Sequence, residues 1–254
     1  MSFTKINVAG IKIDSCVELK QGHGVLVKLA QQDGSKLVFQ SPTCELSWTV
    51  VAKTVGNGTG CNLPLSLGSS SDRVKLFTQF LGELHTKIVD LIVTDSASIY
   101  GKVLTKAQVS EYLSPLIKDP PADSTFAPVF LPKMTHTPEL EITVPTYDVS
   151  QTLVKAELVL KKGARACAKI SIPYVHVAKA TKMFTVRLDT EQILVIETPS
   201  EVKFDFDFSD EPVIQSAVQE AVSKRKADEL SAAVVQKTAK VAAKMADFDS
   251  HDDV

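Results

Sequence analysis

A single long helical period set between two strand-rich stretches constrains this chain more than any other feature. Val74, Phe77, Phe80 or Leu81, Leu84, Ile88 and Leu91 recur at three-to-four spacing, the repeat that lines one face of a helix. Ser70, Ser71 or Asp72 can cap its start, because a short oxygen-bearing side chain accepts from the free amides of the first turn. The period predicts one helix over about 72–94. Before it, "GVLVKLA", "KLVFQ" and "LSWTVVAK" read as strands, and after it so do "VFLPKM", "ELEITVPTYD", "TLVKAELVLKK", "ACAKISIPYVHVAKATKMFTVRLD" and "EQILVIE". A parallel α/β sheet would alternate strands with helices throughout. One helix among many short strands instead implies a mainly β (α+β) domain, a barrel or sandwich with an inserted helical segment.

Turn chemistry divides the strands. "QQDGS" and "GNGTG" are hairpin sequences, and Gly163 is expected at another hairpin tip. Gly56, Gly58 and Gly60 resemble a phosphate loop only superficially, since "CNLPLSLG" follows where a helix N-terminus would be needed. "DSASIYGK" ends the long helix, "LTKAQVSEYLSPLI" is a short helical or extended piece, and Pro115, Pro120, Pro121 and Pro128 exclude continuous helix beyond it. The strand pattern runs to "KFDFDFSDE", so residues 1–210 read as one domain. Residues 211–245 then read as an exposed Ala/Lys-rich helix, because their apolar stripe (Ile214, Val218, Val222, Leu230, Val234, Val241) is thin. Residues 246–254 read as a disordered acidic tail.

Net charge is only −2, yet the charge is laid down in blocks. Residues 151–187 hold eight basic side chains against Glu157 alone, and residues 188–210 hold seven acids against Lys203. Residues 221–245 sum to +4 and residues 246–254 to −4. Segregation of this kind suits a binding surface more than general solubility. No run of eighteen apolar residues occurs and no apolar leader follows Met1, so a cytoplasmic or nuclear protein, without membrane contact, is expected. Cys16, Cys44, Cys61 and Cys167 are too scattered for a zinc site or a disulfide framework and read as small buried hydrophobes. Five isolated histidines and the lack of any nucleophile or phosphate motif predict a protein that is not an enzyme and needs no cofactor.

Candidate binding residues concentrate in "TLVKAELVLKKGARACAKISIPYVHVAKATK". Lys155, Lys161, Lys162, Arg165, Lys169, Lys179 and Lys182 are expected around one hairpin, with Tyr174 and His176 interleaved. Lysines along a sheet can track phosphates while aromatic rings stack on unpaired bases; a solvated outer face reads equally well from the same residues. Trp48, followed by Lys53, shares a strand face with Leu46 and Val50, which favours core over a stacking platform. Tyr100, at a loop with the cation of Lys102 beside it, has the better claim as a stacking ring. In the "MADFDSHDDV" end, four carboxylates crudely mimic a phosphate backbone and Phe248 offers an apolar anchor, though a solubilising terminus fits as well.

The order of "LVFQSPTCELSWTV", "FLGELHTKIVDLIV", "YGK", "YLSPLIK", "FAPVFLPKM" and an acidic tail resembles the single-stranded-DNA-binding proteins of large nucleocytoplasmic DNA viruses and their phage-type relatives, over about residues 37–134 plus the tail. That resemblance implies an oligonucleotide-binding (OB-like) β-barrel with an inserted helix, holding a single strand in a basic, aromatic-lined groove. It implies that Trp48, Tyr100, Lys102 and Lys133 fall near the groove. Asp247, Phe248, Asp249, Asp252 and Asp253 would form a tail that docks on replication proteins and competes with DNA. Phe248 is followed by six further residues, whereas such tails commonly place the aromatic at or beside the terminus. The expectation is a sequence-tolerant single-stranded-DNA-binding protein supporting replication, repair or recombination, with DNA against RNA and self-association through the stalk left open. The alternative is a viral structural or scaffolding protein acting through protein contacts.

Overall fold

The long apolar period forms helix α1 (Asp72–Thr94), whose buried side chains are Val74, Phe77, Phe80, Leu81, Leu84, Ile88, Val89 and Ile92. Its threonines fit the helix because Thr78, Thr86 and Thr94 each turn a hydroxyl back onto the carbonyl four residues earlier. Phe77 sits among Phe3 (ring centroids 5.1 Å apart), Phe39 (6.1 Å) and Phe130 (5.6 Å), and Phe80 meets Phe39 edge-on at 5.2 Å. Burial of each ring contributes about 1.5–3 kcal/mol. This cluster fastens the helix to chain segments on both sides of it in sequence.

The computed structural model describes residues 1–20, 24–55 and 58–199, of which Met1–Pro199 forms one compact unit. The expected strand at "KFDFDFSDE", the Ala/Lys-rich helix over 211–245 and the tail over 246–254 lie outside the described residues.

Seven short strands precede α1: β1 (Lys12–Glu18), β2 (Val25–Ala30), β3 (Val38–Gln40), β4 (Cys44–Glu45), β5 (Lys53–Val55), β6 (Gly58–Gly60) and β7 (Leu65–Ser66). Seven follow it: β8 (Ile117–Lys118), β9 (Val129–Phe130), β10 (Thr146–Tyr147), β11 (Arg165–Ser171), β12 (Val175–Ala178), β13 (Met183–Val186) and β14 (Asp189–Glu197). One sheet has the order β1-β2-β12-β13; a second has β10-β14-β11-β3, with β4 also on β11. All pairs in them are antiparallel except β10 with β14. Three stretches of chain, 25–40, 165–178 and 183–197, run from one sheet into the other. Strands that switch sheets at corners are how a sandwich closes toward a barrel, and this mixed α+β arrangement is consistent with an OB-like fold. Its interior takes alternate residues, Val25, Val27, Leu29, Val175, Val177, Phe184 and Val186 from the first sheet, Phe39, Ala166, Ala168, Ile170, Ile193 and Val195 from the second.

Elsewhere the structure corrects the pattern reading. "DSASIYGK" holds helix α2 (Ser96–Tyr100), stopped by Gly101 at φ 87°. "LTKAQVSEY" becomes α3 (Lys106–Tyr112), started by a capping box between Thr105 and Gln108. "TLVKAELVLKK" is not a strand: Lys155 caps a single helical turn, α4 (Ala156–Val159), because Glu157 turns inward to accept from the Ile142 amide at 2.7 Å. Lys155 and Glu157 therefore do not share a sheet face. Gly163, at φ 82°, lies in the turn leading into β11 and not at a hairpin tip. The tip of the hairpin joining β12 and β13 carries Lys182 at φ 52°. "LSWTVVAK" also does not run as a strand, since its amides bond sideways to two other segments, and Cys16 is exposed on β1 instead of buried.

Candidate functional site

Pleating decides what the first sheet presents to solvent. With the valines of β2 and β12 inside, their neighbours face out, and Leu26, His176 and Thr185 lie side by side across β2, β12 and β13. Tyr174 and Arg187 extend that row, joined by a backbone hydrogen bond from the Arg187 amide to the Tyr174 carbonyl at 2.9 Å. A second wall, made of Pro115, Leu116, Lys118, Leu131 and Lys133, stands over this face and closes a cleft of about 720 Å³. The wall is stitched down at two places. The Ser114 amide donates to the Phe184 carbonyl at 2.8 Å, and Lys133 exchanges backbone bonds with Leu188 and Thr190, each at 2.8 Å. Gly24 allows the close fit beneath, because a side chain there, at φ 136°, would begin 2.2 Å from the Val177 carbonyl and 3.2 Å from His176 Nε2.

The cleft has an apolar floor (Leu19, Leu26, Leu188) and a cationic rim. Lys118 and Lys133 are exposed, and among the described residues neither lies within salt-bridge range of an acid. Arg187 is half-buried and held by Asp189, Nε to Oδ1, at 2.5 Å. His176 Nε2 is buried and has no hydrogen-bond partner among the described residues. Unpaired ammonium groups beside an aromatic ring and apolar surface can bind phosphates and the faces of unpaired bases together.

Of the residues singled out from sequence, Lys133, Tyr174 and His176 line this cleft. The rest are divided among other places and do not surround one hairpin. Tyr100 is half-buried against Tyr112 and Phe184, donates its hydroxyl to the Lys179 carbonyl at 3.3 Å, and has the Lys102 Nζ 5.6 Å from its ring centroid. Lys179 leans on Glu18 at 3.5 Å, near the exposed Lys182. Arg165 pairs with Glu197 at 3.2 Å and Lys169 with Glu191 at 3.0 Å, so these two cations of the second sheet are matched by acids. Lys155 caps α4 beside a different groove, and Lys53 is exposed on β5. Trp48 is corrected from core to surface: it is 44% exposed, in the bend that lies alongside Lys161 and Lys162. Lys118 and Arg187 complete the cleft but carry no local motif, and only the pairing of distant segments brings them there.

Burial suppresses the interior thiols as nucleophiles. It pushes Cys44 up to about 12, with neighbouring Cys167 adding to the effect, and Cys61 up to about 11, with the Glu157 charge adding to it. Cys167 is also raised by burial, and burial lowers His85 despite a hydrogen bond to the Leu113 backbone that opposes the shift. Among the described residues no group of three or more His, Cys, Asp and Glu side chains is placed to hold a metal ion, and no helix is long and apolar enough to cross a membrane.

No protein-family model matches the chain, and no curated protein matches it by sequence. Among solved structures it is similar to gp2.5, a single-stranded DNA binding protein encoded by bacteriophage T7, at 10% identity and a TM-score of 0.45, over 67% of this chain and 97% of that one. It is also similar to the single-stranded DNA-binding protein of bacteriophage Enc34 in complex with ssDNA, at 12% identity and a TM-score of 0.42, over 74% and 99%. TM-scores below 0.5 leave the functional reading to the chain's own residues.

Proposed function

We propose that the protein binds single-stranded DNA without sequence preference, in support of replication, repair or recombination, and that the strand lies in the cleft over the first sheet. The observation that carries this reading is the pair of ammonium groups, Lys118 and Lys133, neither salt-bridged among the described residues, standing over a floor that contains Tyr174 and Leu26. Phosphates would meet the lysines, and bases would lie on the ring and the aliphatic surface. Asp247, Phe248, Asp249, Asp252 and Asp253 are assigned by the same reading to a tail that contacts replication partners.

The test is fluorescence anisotropy of a labelled oligo-dT titrated with the full chain at low and moderate salt, with duplex as competitor. Saturable binding that resists duplex and weakens with salt is expected. Absence of binding at micromolar protein and low salt overturns the proposal. A second reading, a protein-contacting structural role, draws on the exposed Val149 (64%), Leu153 (65%) and Leu158 (68%), three large apolar side chains within ten residues. Concentration-dependent assembly with no retention of oligo-dT would favour it.

A further inference from the structure

Trp48 is the only tryptophan in the chain and is 44% exposed, although indole is among the side chains that gain most from burial. Its exposure is imposed by rigid mounting. The Leu46 amide donates to the Ala164 carbonyl at 2.8 Å, the Gly163 amide to the Leu46 carbonyl at 2.9 Å, and the Val50 amide to the Leu160 carbonyl at 2.9 Å. The Lys162 amide donates to Thr49 Oγ1 at 3.1 Å. Leu46, Val50 and Leu160 are all buried, so the bend is pinned inward on both sides of Trp48 and the indole is held outward between the pins.

The segment that pins it brings Lys161 and Lys162, both exposed and, among the described residues, neither salt-bridged. A fixed ring beside two unmatched ammonium groups is suited to stack on an unpaired base while its neighbouring phosphates are neutralised. The site also lies on a short route from the cleft. Asn62 lines the cleft and bridges to Lys133, and Pro64, two residues on, accepts from the Ser47 amide at 3.0 Å. Two extended residues, one strand spacing and one Cα step span roughly 15 Å of surface.

Resting on the cleft reading, we propose that Trp48 with Lys161 and Lys162 forms a second station for the same single strand, stacking on a base that has left the cleft past Lys133 and Asn62. Lone aromatics on a protein-binding patch need no flanking cations, and it is the lysines that favour nucleic acid over a protein partner here.

The lone tryptophan makes the test direct. Oligo-dT of about sixteen nucleotides, the upper site size for one OB-type domain, is titrated into the full chain while anisotropy of the labelled strand and Trp48 emission are followed in parallel. Emission should be quenched with the same midpoint as the anisotropy. Trp48→Ala should weaken binding about five- to a hundredfold, and Trp48→Phe should restore most of it. Lys161→Gln with Lys162→Gln should lower the salt slope by roughly 1.4. Constant emission while anisotropy saturates, or a Trp48→Ala affinity equal to wild type, overturns the Trp48 station and leaves the cleft reading standing. No anisotropy change with the unaltered chain overturns both.

Discussion

Three stretches of chain pass from one large sheet to the other, yet the charges of the two sheets behave in opposite ways. On the second sheet, antiparallel pairing of β11 with β14 lays the basic block of the sequence against its acidic block, so Arg165 meets Glu197 and Lys169 meets Glu191. On the first sheet, the wall that closes the cleft delivers Lys118 and Lys133, and among the described residues neither is salt-bridged. A surface field depends on which charges remain unmatched after folding, and exposed matched pairs add little to it or to stability. The richest basic stretch of the sequence is therefore partly cancelled, and the cleft rim carries two lysines that are not salt-bridged among the described residues.

Removing the unmatched pair should have the largest effect. Lys118→Ala with Lys133→Ala is expected to weaken oligo-dT binding by at least about a hundredfold at low salt, since each of the two hydrogen bonds to a charged group contributes about 1.5–3 kcal/mol. The slope of log affinity against log salt should fall by roughly 1.4, about 0.7 for each phosphate that is no longer neutralised. An unchanged slope would dissolve the contrast between the sheets.

Tyr174→Ala comes next. Loss of a stacking surface should cost about 1–3 kcal/mol of affinity and leave the salt slope as it was, because no cation is removed. Anisotropy at several salt concentrations separates the two behaviours. A Tyr174 variant that changed the slope would mean that the ring acts by positioning its cationic neighbours, Arg187 above all, whose amide bonds the Tyr174 carbonyl.

How much of this is legible in the sequence follows from what each signal depends on. Helix α1 and strands β2, β3 and β14 stand out because their periods are local and unbroken, so the positions of Phe77 or Val27 in the core need no knowledge of distant chain. Trp48 defeats a pattern reading because alternation with Leu46 and Val50 presumes a continuous strand. Sideways bonds to residues 160–164 replace that ladder, and the indole turns outward while both neighbours stay in. "TLVKAELVLKK" departs from its pattern similarly: Glu157 finds a half-buried backbone amide, that of Ile142, to accept from, which a strand reading does not anticipate. The cleft is legible only at Lys133, Tyr174 and His176. Lys118 and Arg187 join them through the pairing of segments about 60, 115, 131 and 180 residues along the chain, and that pairing leaves no mark within any one of them.

The smallest expected effect bears most directly on the contrast between the sheets. Arg165→Gln with Lys169→Gln removes as much formal charge as the Lys118 and Lys133 double variant, and from the stretch of sequence richest in cations. If matched pairs contribute little outward field, oligo-dT affinity should change by less than about twofold and stability by about 0–1 kcal/mol per pair. Denaturant unfolding checks the second figure and the salt-series titration the first. Equal charge removed with unequal effect would establish register, and not composition, as the source of the binding surface. A large loss of affinity would instead mean that Glu197 and Glu191 release their partners when the strand arrives, and that the second sheet carries nucleic acid as well.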